Sequence, residues 1–170
     1  MSASPEGLRE ALVALMPRLR RFARALARNV DDADDLVQLA LERALTRSGQ
    51  LKPDAPLSSW MFGIVRNAWL DELRARGRRA RVFATEEAGE QVADASQAGH
   101  AETLAVQDAL SRLPEEQRLA VALVLIEGCS YKEAAHIMEV PIGTLTSRLA
   151  RGREALQEML VEGESGRARR

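Results

Sequence analysis

The chain of 170 residues lacks most of the features that mark enzymes, secreted domains and membrane proteins. Its single cysteine, Cys129, allows no internal disulfide and suits a reducing compartment. No apolar run approaches the roughly 18 residues needed to span a bilayer. The opening "MSASPEGLRE" has no signal-peptide pattern, so a cytoplasmic protein with no membrane contact of its own is expected. Aromatics are only 4%, and no alternating Val/Ile/Thr run reads as a strand. His100 and His136 are isolated, and with one cysteine they make no zinc site. No nucleophile–base pair, P-loop or metal motif is present. An enzyme, a cofactor, a bound metal and a small-molecule substrate are therefore not expected.

What is abundant is Ala, Leu, Arg and Glu, the composition of helices. The net charge of −1 conceals segregation. Residues 18 to 28 hold Arg18, Arg20, Arg21, Arg24 and Arg28 with no acid, and residues 66 to 81 are mostly basic. Residues 82 to 103 hold Glu86, Glu87, Glu90, Asp94 and Glu102 with no Lys or Arg. Two anion-facing surfaces separated by an acidic linker follow from this pattern.

Periodicity places the elements. Leu8, Leu12, Leu15, Leu19, Phe22 and Leu26 recur at helical spacing, interrupted by Pro17, which must kink the helix or start a new one. Asp31 is the expected cap of a second helix carrying Ala33, Leu36, Val37, Ala40, Leu41, Ala44 and Leu45. "SGQLKPDAPLSS" reads as a loop. Ser58 or Ser59 would cap a third helix, to about Gly77, with Leu57, Met61, Val65, Trp69 and Leu73 on one face. Trp69 and Trp60 are read as core, and Phe62, facing away from the stripe, as either core or base platform. The first domain is expected at 5–81, a flexible linker at 82–103, a second helical domain at 104–161 and a disordered basic tail at 162–170. The fold class is all-α, two small helical domains.

Within the second domain, "SYKEAAHIMEVPIGTLTSRLARGREAL" has the layout of a helix-turn-helix. A short helix from Tyr131 to Met138 precedes a tight turn and a longer helix from about Ile142 to Leu160. Leu145, Leu149, Gly152 and Leu156 share a buried stripe, while Ser147, Ala150, Arg151 and Glu154 point away. Small residues let such a helix approach base edges, and arginine can pair bidentately with guanine. Thr144 and flanking arginines suit phosphates. A solvated arginine-rich face is the competing reading of the same stretch.

Together the halves resemble an extracytoplasmic-function sigma factor, the minimal class of the sigma-70 family. The resemblance rests on "DDADDLVQLALERAL", "SSWMFGIVRNAWLDELRARGRR" and "LPEEQRLAVALVLIEGCSYKEAAHIMEVPIGTLTSRLARGREAL" in that order. It implies a sigma-2-like first domain and a sigma-4-like second one. It further implies a subunit that binds core RNA polymerase, directs it to promoter DNA and opens the −10 element, under the control of an anti-sigma factor. Asp34, Asp35, Leu36 and Gln38 match the segment that docks on the polymerase, although acids there also complement a helix dipole. Asn67 matches a position near the captured −10 base, with loop 51–58 helping to form its pocket. Arg66, Arg74, Arg76, Arg78 and Arg79 would hold single-strand phosphates. Thr146, Ser147, Ala150 and Arg151 match −35 reading positions, and Arg148 and Arg153 backbone-contacting ones.

The chain departs from the family pattern in four places. Thr146 stands where a basic residue is common, and Glu139 where the turn usually has Gly, so Glu139 is expected at positive φ. Gly63 and Gly152 replace residues that favour helix. A sigma-like decoy that binds an anti-sigma protein without touching DNA would carry a receiver domain after the sigma-like part, and the chain ends at Arg170. A dimeric helix-turn-helix repressor would not need "DDLVQ" or "WMFGIVRN".

Overall fold

The computed structural model describes residues 4–83 and 101–168. These residues are mostly helical, joined by short turns and loops, with no strand among them. Helix α1 spans Pro5–Leu26, α2 Val30–Thr46 and α3 Leu57–Val82, with one 3-10 turn at Ser48–Gln50. Then come α4 at Ala101–Arg112, α5 at Glu115–Val121 with a π-helical end at Ala122–Ile126, α6 at Tyr131–Met138 and α7 at Ile142–Arg167. Most of the expected flexible linker, residues 84–100, lies outside the described residues. Its flanks, residues 82 and 101–103, belong to helices.

Local chemistry explains the starts. Ser4 caps α1 by accepting from the Gly7 N–H at 3.1 Å, and Pro5 occupies the first turn, where its missing N–H costs nothing. Pro17 neither ends nor restarts α1, which is continuous through it. Asn29, not Asp31, caps α2: its Oδ1 accepts from the Asp32 N–H at 2.7 Å. Neither Ser58 nor Ser59 caps α3, because Pro56 takes that position and the helix begins at Leu57. α3 continues to Val82, and α7 to Arg167, well into the span expected to be a disordered tail. Ala, Arg, Leu and Glu carry much of both extensions, although α7 also runs through the poor helix formers Gly163 and Gly166.

The core of the first half is built from Leu19, Phe22 and Leu26 of α1, Leu36, Val37 and Ala40 of α2, and Met61, Phe62, Val65 and Trp69 of α3. Phe22 and Phe62 meet edge-to-face with ring centroids 5.0 Å apart, a geometry worth about 0.5–1.5 kcal/mol beyond area burial. In the second half Leu119, Val121 and Leu123 pack with Ala134, Ile137, Met138, Leu145 and Leu149. The two cores form one contiguous buried cluster, so the halves are packed together rather than held at a distance.

Two glycines of the same sequence type behave oppositely. A Cβ on Gly152 would lie 2.8 Å from Val121 Cγ2 and 3.3 Å from the Gln117 carbonyl oxygen, so its absence lets α7 cross α5 closely. Nothing lies within 4 Å of the corresponding point on Gly63. Gly152→Ala is therefore expected to destabilise by about 1–3 kcal/mol through overpacking. Gly63→Ala should stabilise by up to about 1 kcal/mol through helix propensity. Urea denaturation of the two variants checks this, and equal signs would refute the packing argument.

Candidate nucleic-acid interface

The helix-turn-helix is locked by its own termini. Ser130 caps α6, accepting from the Glu133 N–H at 3.2 Å, while the Glu133 carboxylate accepts from the Ser130 N–H at 2.9 Å. That reciprocal box satisfies two otherwise unpaired donors. The backbone bond from Ser130 is the chief reason the Glu133 carboxyl stays below its usual range. α6 ends at Glu139, whose φ of 56° and ψ of 42° place it in the left-handed region. The turn closes with the Glu139 N–H bonded to His136 O and the Val140 N–H to Ala135 O, both 3.1 Å. Pro141 then occupies the N-cap position of α7, without a side-chain capping bond.

On α7, Leu145, Leu149 and Gly152 are buried against the rest of the second half. Thr146, Ser147, Ala150, Arg151 and Arg153 are exposed, and Thr144 is half-buried. The Thr146 hydroxyl donates to Ile142 O at 2.8 Å and that of Ser147 to Gly143 O at 3.0 Å, leaving their oxygens free to accept. Arg148 does not stand free as a phosphate ligand: its Nη2 is 2.9 Å from Glu116 Oε2. Arg151 and Arg153 make no ion pair among the described residues.

α3 presents Asn67 to solvent. Its arginines are mostly engaged. Arg74 pairs with Asp71 at 3.2 Å, Arg76 with Glu72 and Asp32 at 2.9 Å each, and Arg79 with Glu72 at 3.0 Å. Hydrogen bonding from Arg76 is the main cause that holds the Glu72 carboxyl low. Arg78 is exposed without an ion pair among the described residues. Arg66 donates from Nη1 to Asn67 Oδ1 at 3.1 Å and reaches Glu139 Oε2 at 3.4 Å. Its side chain is only 15% exposed, and its Nε has no partner. Phe62, left open by the sequence, is core, and so is Trp69, whose indole N–H donates to Glu115. Trp60 is half-buried against the same core. The loop after α2 lines a recess with Pro5, Leu8, Arg9 and Leu45, on the α1–α2 side and not at Asn67.

On α2, Asp34, Asp35 and Gln38 are exposed. Leu36 is 5% exposed and belongs to the core, so it seats the helix instead of offering a contact. Asp31 and Asp32 occupy the first turn, where the helix dipole favours acids, and Asp32 also binds Arg76. Asp34 and Asp35 lie beyond that turn, where the dipole effect has faded, so it does not account for them.

Sequence reasoning passed over the residues that join the halves. Arg118 is buried and donates to four carbonyls, one of them Leu26 O in the first half. Glu127, buried at the π-helical end of α5, binds Arg18 and Arg21 of α1. The only sequence signals were basic residues three apart on one face of α1 and an acid directly before Gly128. Neither identifies a partner more than a hundred residues away. Cys129 is buried beside this cluster. Burial first, then the Glu133 and Glu127 charges, push its thiol up to about 11, against the opposing charge of Arg18. It is thus protonated and unreactive at neutral pH. Among the described residues no cluster of three metal-ligating side chains occurs, and no helix is long and apolar enough to cross a membrane.

Comparison with known proteins matches this organisation. A family model described as Sigma-70, region 4 covers residues 103–156, and one described as the Sigma2 domain of PhyR covers residues 12–66. The chain is 38% identical over 159 residues to the ECF RNA polymerase sigma factor EcfG of Rhodopseudomonas palustris, covering 93% of this chain and 88% of that one. It is 41% identical over 144 residues to SigM of Mycobacterium tuberculosis, covering 84% and 71%. Among solved structures, the sigma factor RpoE of Bartonella quintana, in complex with the anti-sigma factor NepR, is similar with a TM-score of 0.81 and 33% identity, over 90% of this chain and 96% of that one. Family members are transcription regulators. With both promoter-facing halves in order and both matched, the chain belongs to the extracytoplasmic-function sigma factors, the RNA polymerase subunits that direct promoter-specific initiation.

Proposed function

We propose that the exposed strip Ser147–Ala150–Arg151 on α7 reads the −35 element of promoter DNA. The carrying observation is that these side chains point outward from a helix whose opposite face, Leu145, Leu149 and Gly152, is buried. Thr144, Thr146 and Arg153 flank the strip at the level of phosphates, and Arg148 joins them once it leaves Glu116. The division into a sigma-2-like unit at 5–81 and a sigma-4-like unit at 104–161 is part of the same reading. Asn67 takes the −10 base, with Arg66, Arg74, Arg76, Arg78 and Arg79 on the strand. Because all but Arg78 are bound to carboxylates in this structure, DNA must compete for them, which suits weak DNA binding by the chain alone. Asp34, Asp35 and Gln38 dock on core RNA polymerase. Two weak interfaces joined in one chain then add through effective concentration.

The similarity to a sigma factor solved with NepR supports control by an anti-sigma factor. The chain acts in the cytoplasm, where its polymerase is, and performs no catalysis of its own. In vitro transcription with purified core polymerase on a promoter library tests the reading. Discrete start sites that require both proteins are expected. Tight DNA binding by the chain alone, with no specific initiation on any template, would refute it.

A further inference from the structure

The halves of this chain are fastened by ionic contacts at the position where they would have to part. The Glu127 carboxylate is fully buried. It accepts from Arg21 Nε at 2.8 Å, Arg21 Nη2 at 3.0 Å and Arg18 Nε at 3.2 Å. Its backbone carbonyl accepts from Arg18 Nη2 at 3.0 Å. A carboxylate held by one bidentate guanidinium fork, with a second guanidinium bridging its carboxylate and its backbone carbonyl, is the strong, directional kind of ion pair. The backbone is shaped for it: α5 widens into a π-turn, with the Glu127 N–H bonded to Ala122 O at 3.0 Å and the Cys129 N–H to Leu123 O at 2.9 Å. Gly128, at φ +70°, then turns the chain away. Arg18 also lies over the Phe62 ring, 5.1 Å from its centroid, so the same contact bears on α3.

Closure has a consequence at both DNA-facing surfaces. α6 packs on α3, and Arg66, assigned above to the −10 strand, is nearly covered and faces Glu139 of the helix-turn-helix. Arg151 is then only nine residues into α7, about 14 Å along the helix axis at 1.5 Å per residue. The −10 and −35 elements have centres about 25 base pairs apart, about 85 Å along the duplex at ~3.4 Å per pair. The closed arrangement does not span them.

We propose that Glu127, with Arg18 and Arg21, is an intramolecular latch that holds the sigma-2-like and sigma-4-like halves in a closed state unable to engage both promoter elements, so that the latch must release before the chain works on a promoter. The promoter part of this rests on the function proposed above; the latch itself does not.

The test uses the purified full chain, with spin labels on cysteines placed at Leu45 and Val161 in a Cys129→Ala background. Both labelled positions are exposed, on α2 and α7, away from the latch. Pulsed dipolar spectroscopy of the parent should give one narrow distance population. Glu127→Gln keeps the volume of the side chain and removes its charge, and Arg21→Gln alters a half-exposed residue outside the core. Each should shift the population to longer, broader distances, and the double variant should add little to either. Unchanged helix content by circular dichroism separates opening from unfolding. Transcription from a promoter that carries both elements, at limiting chain and core polymerase, should rise about tenfold in the opened variants if closure occupies roughly nine-tenths of the free chain. Unchanged distances in both variants would overturn the latch, and longer distances without a gain in use of that promoter would overturn its inhibitory role. The distance measurement contains neither polymerase nor DNA. A parent chain that closes and opens as described yet initiates no transcription would therefore refute the sigma reading and leave the latch standing.

Discussion

Replacing Arg118 with Met is expected to cost about 3–5 kcal/mol of folding stability, the largest effect of any single substitution considered. The guanidinium is buried and donates from Nε to Leu110 O at 2.8 Å, from Nη1 to Leu26 O at 2.9 Å, and from Nη2 to Ser111 O at 2.9 Å and Leu113 O at 3.0 Å. These carbonyls sit at the ends of α1 and α4, where the last turns of a helix have no internal partner and carry negative partial charge. Burial is the main influence lowering the Arg118 pKa, opposed by Glu115 at 3.3 Å and reinforced by Arg28, yet the group remains a cation at any working pH. An ion pair between side chains can often be replaced by apolar groups at little cost. Here the acceptors are backbone and cannot be removed, so Met leaves them orphaned. Arg118→Lys keeps the charge, but one ammonium cannot reach acceptors spread around a planar fork, so this variant should recover less than half of the loss. Urea unfolding with matched m-values measures both. A lysine variant as stable as the parent would show that charge, not the fork, matters.

Arg151→Ala should abolish preference at one position of the −35 element while leaving affinity for core polymerase unchanged. A bidentate arginine–guanine pair is worth about 1–3 kcal/mol of discrimination, which is roughly 5- to 150-fold in relative promoter use. The proposed base-reading role of Arg151 rests on its exposure, away from the buried Leu145, Leu149 and Gly152. Arg153→Ala serves as the contrast. A phosphate contact carries no sequence information, so its loss should weaken all promoters alike and reduce the salt dependence by about one counterion. Transcription competition among templates that differ only at −35 distinguishes the two. If the Arg151 variant keeps the parent's ranking of templates, the base-reading role is wrong.

These two arginines also mark how far the sequence reaches. The period of Leu145, Leu149 and Gly152 identifies the buried side of α7, and so the exposure of Arg151, because both follow from 3.6 residues per turn. Glu139 at positive φ was legible only through the resemblance to a family that usually has Gly at that position of the turn. The all-helical composition, the short α6 and the start of α7 are local facts. Helix starts were less legible, since Asn29 and Asp31 are both good caps and only the packed geometry chooses between them. The destination of Phe62 depended on Phe22, on another helix. Gly152 reads as a weak point in a helix until Val121 is placed 2.8 Å from its missing Cβ. The arginine pairs of α3 do have a local signal, since Arg74 with Asp71 and Arg76 with Glu72 stand three and four residues apart on one helix. Arg118 and Glu127 have none: Arg118 reaches Leu26 O, and Glu127 reaches Arg18 and Arg21, only when one half docks on the other. The sequence by itself determined which helices form and which of their faces are apolar, because those are set by interactions over a few residues. Only the tertiary structure decided how the halves close on one another and which charges are spent in doing so, because a charge a hundred residues away becomes a partner only when packing brings it within reach.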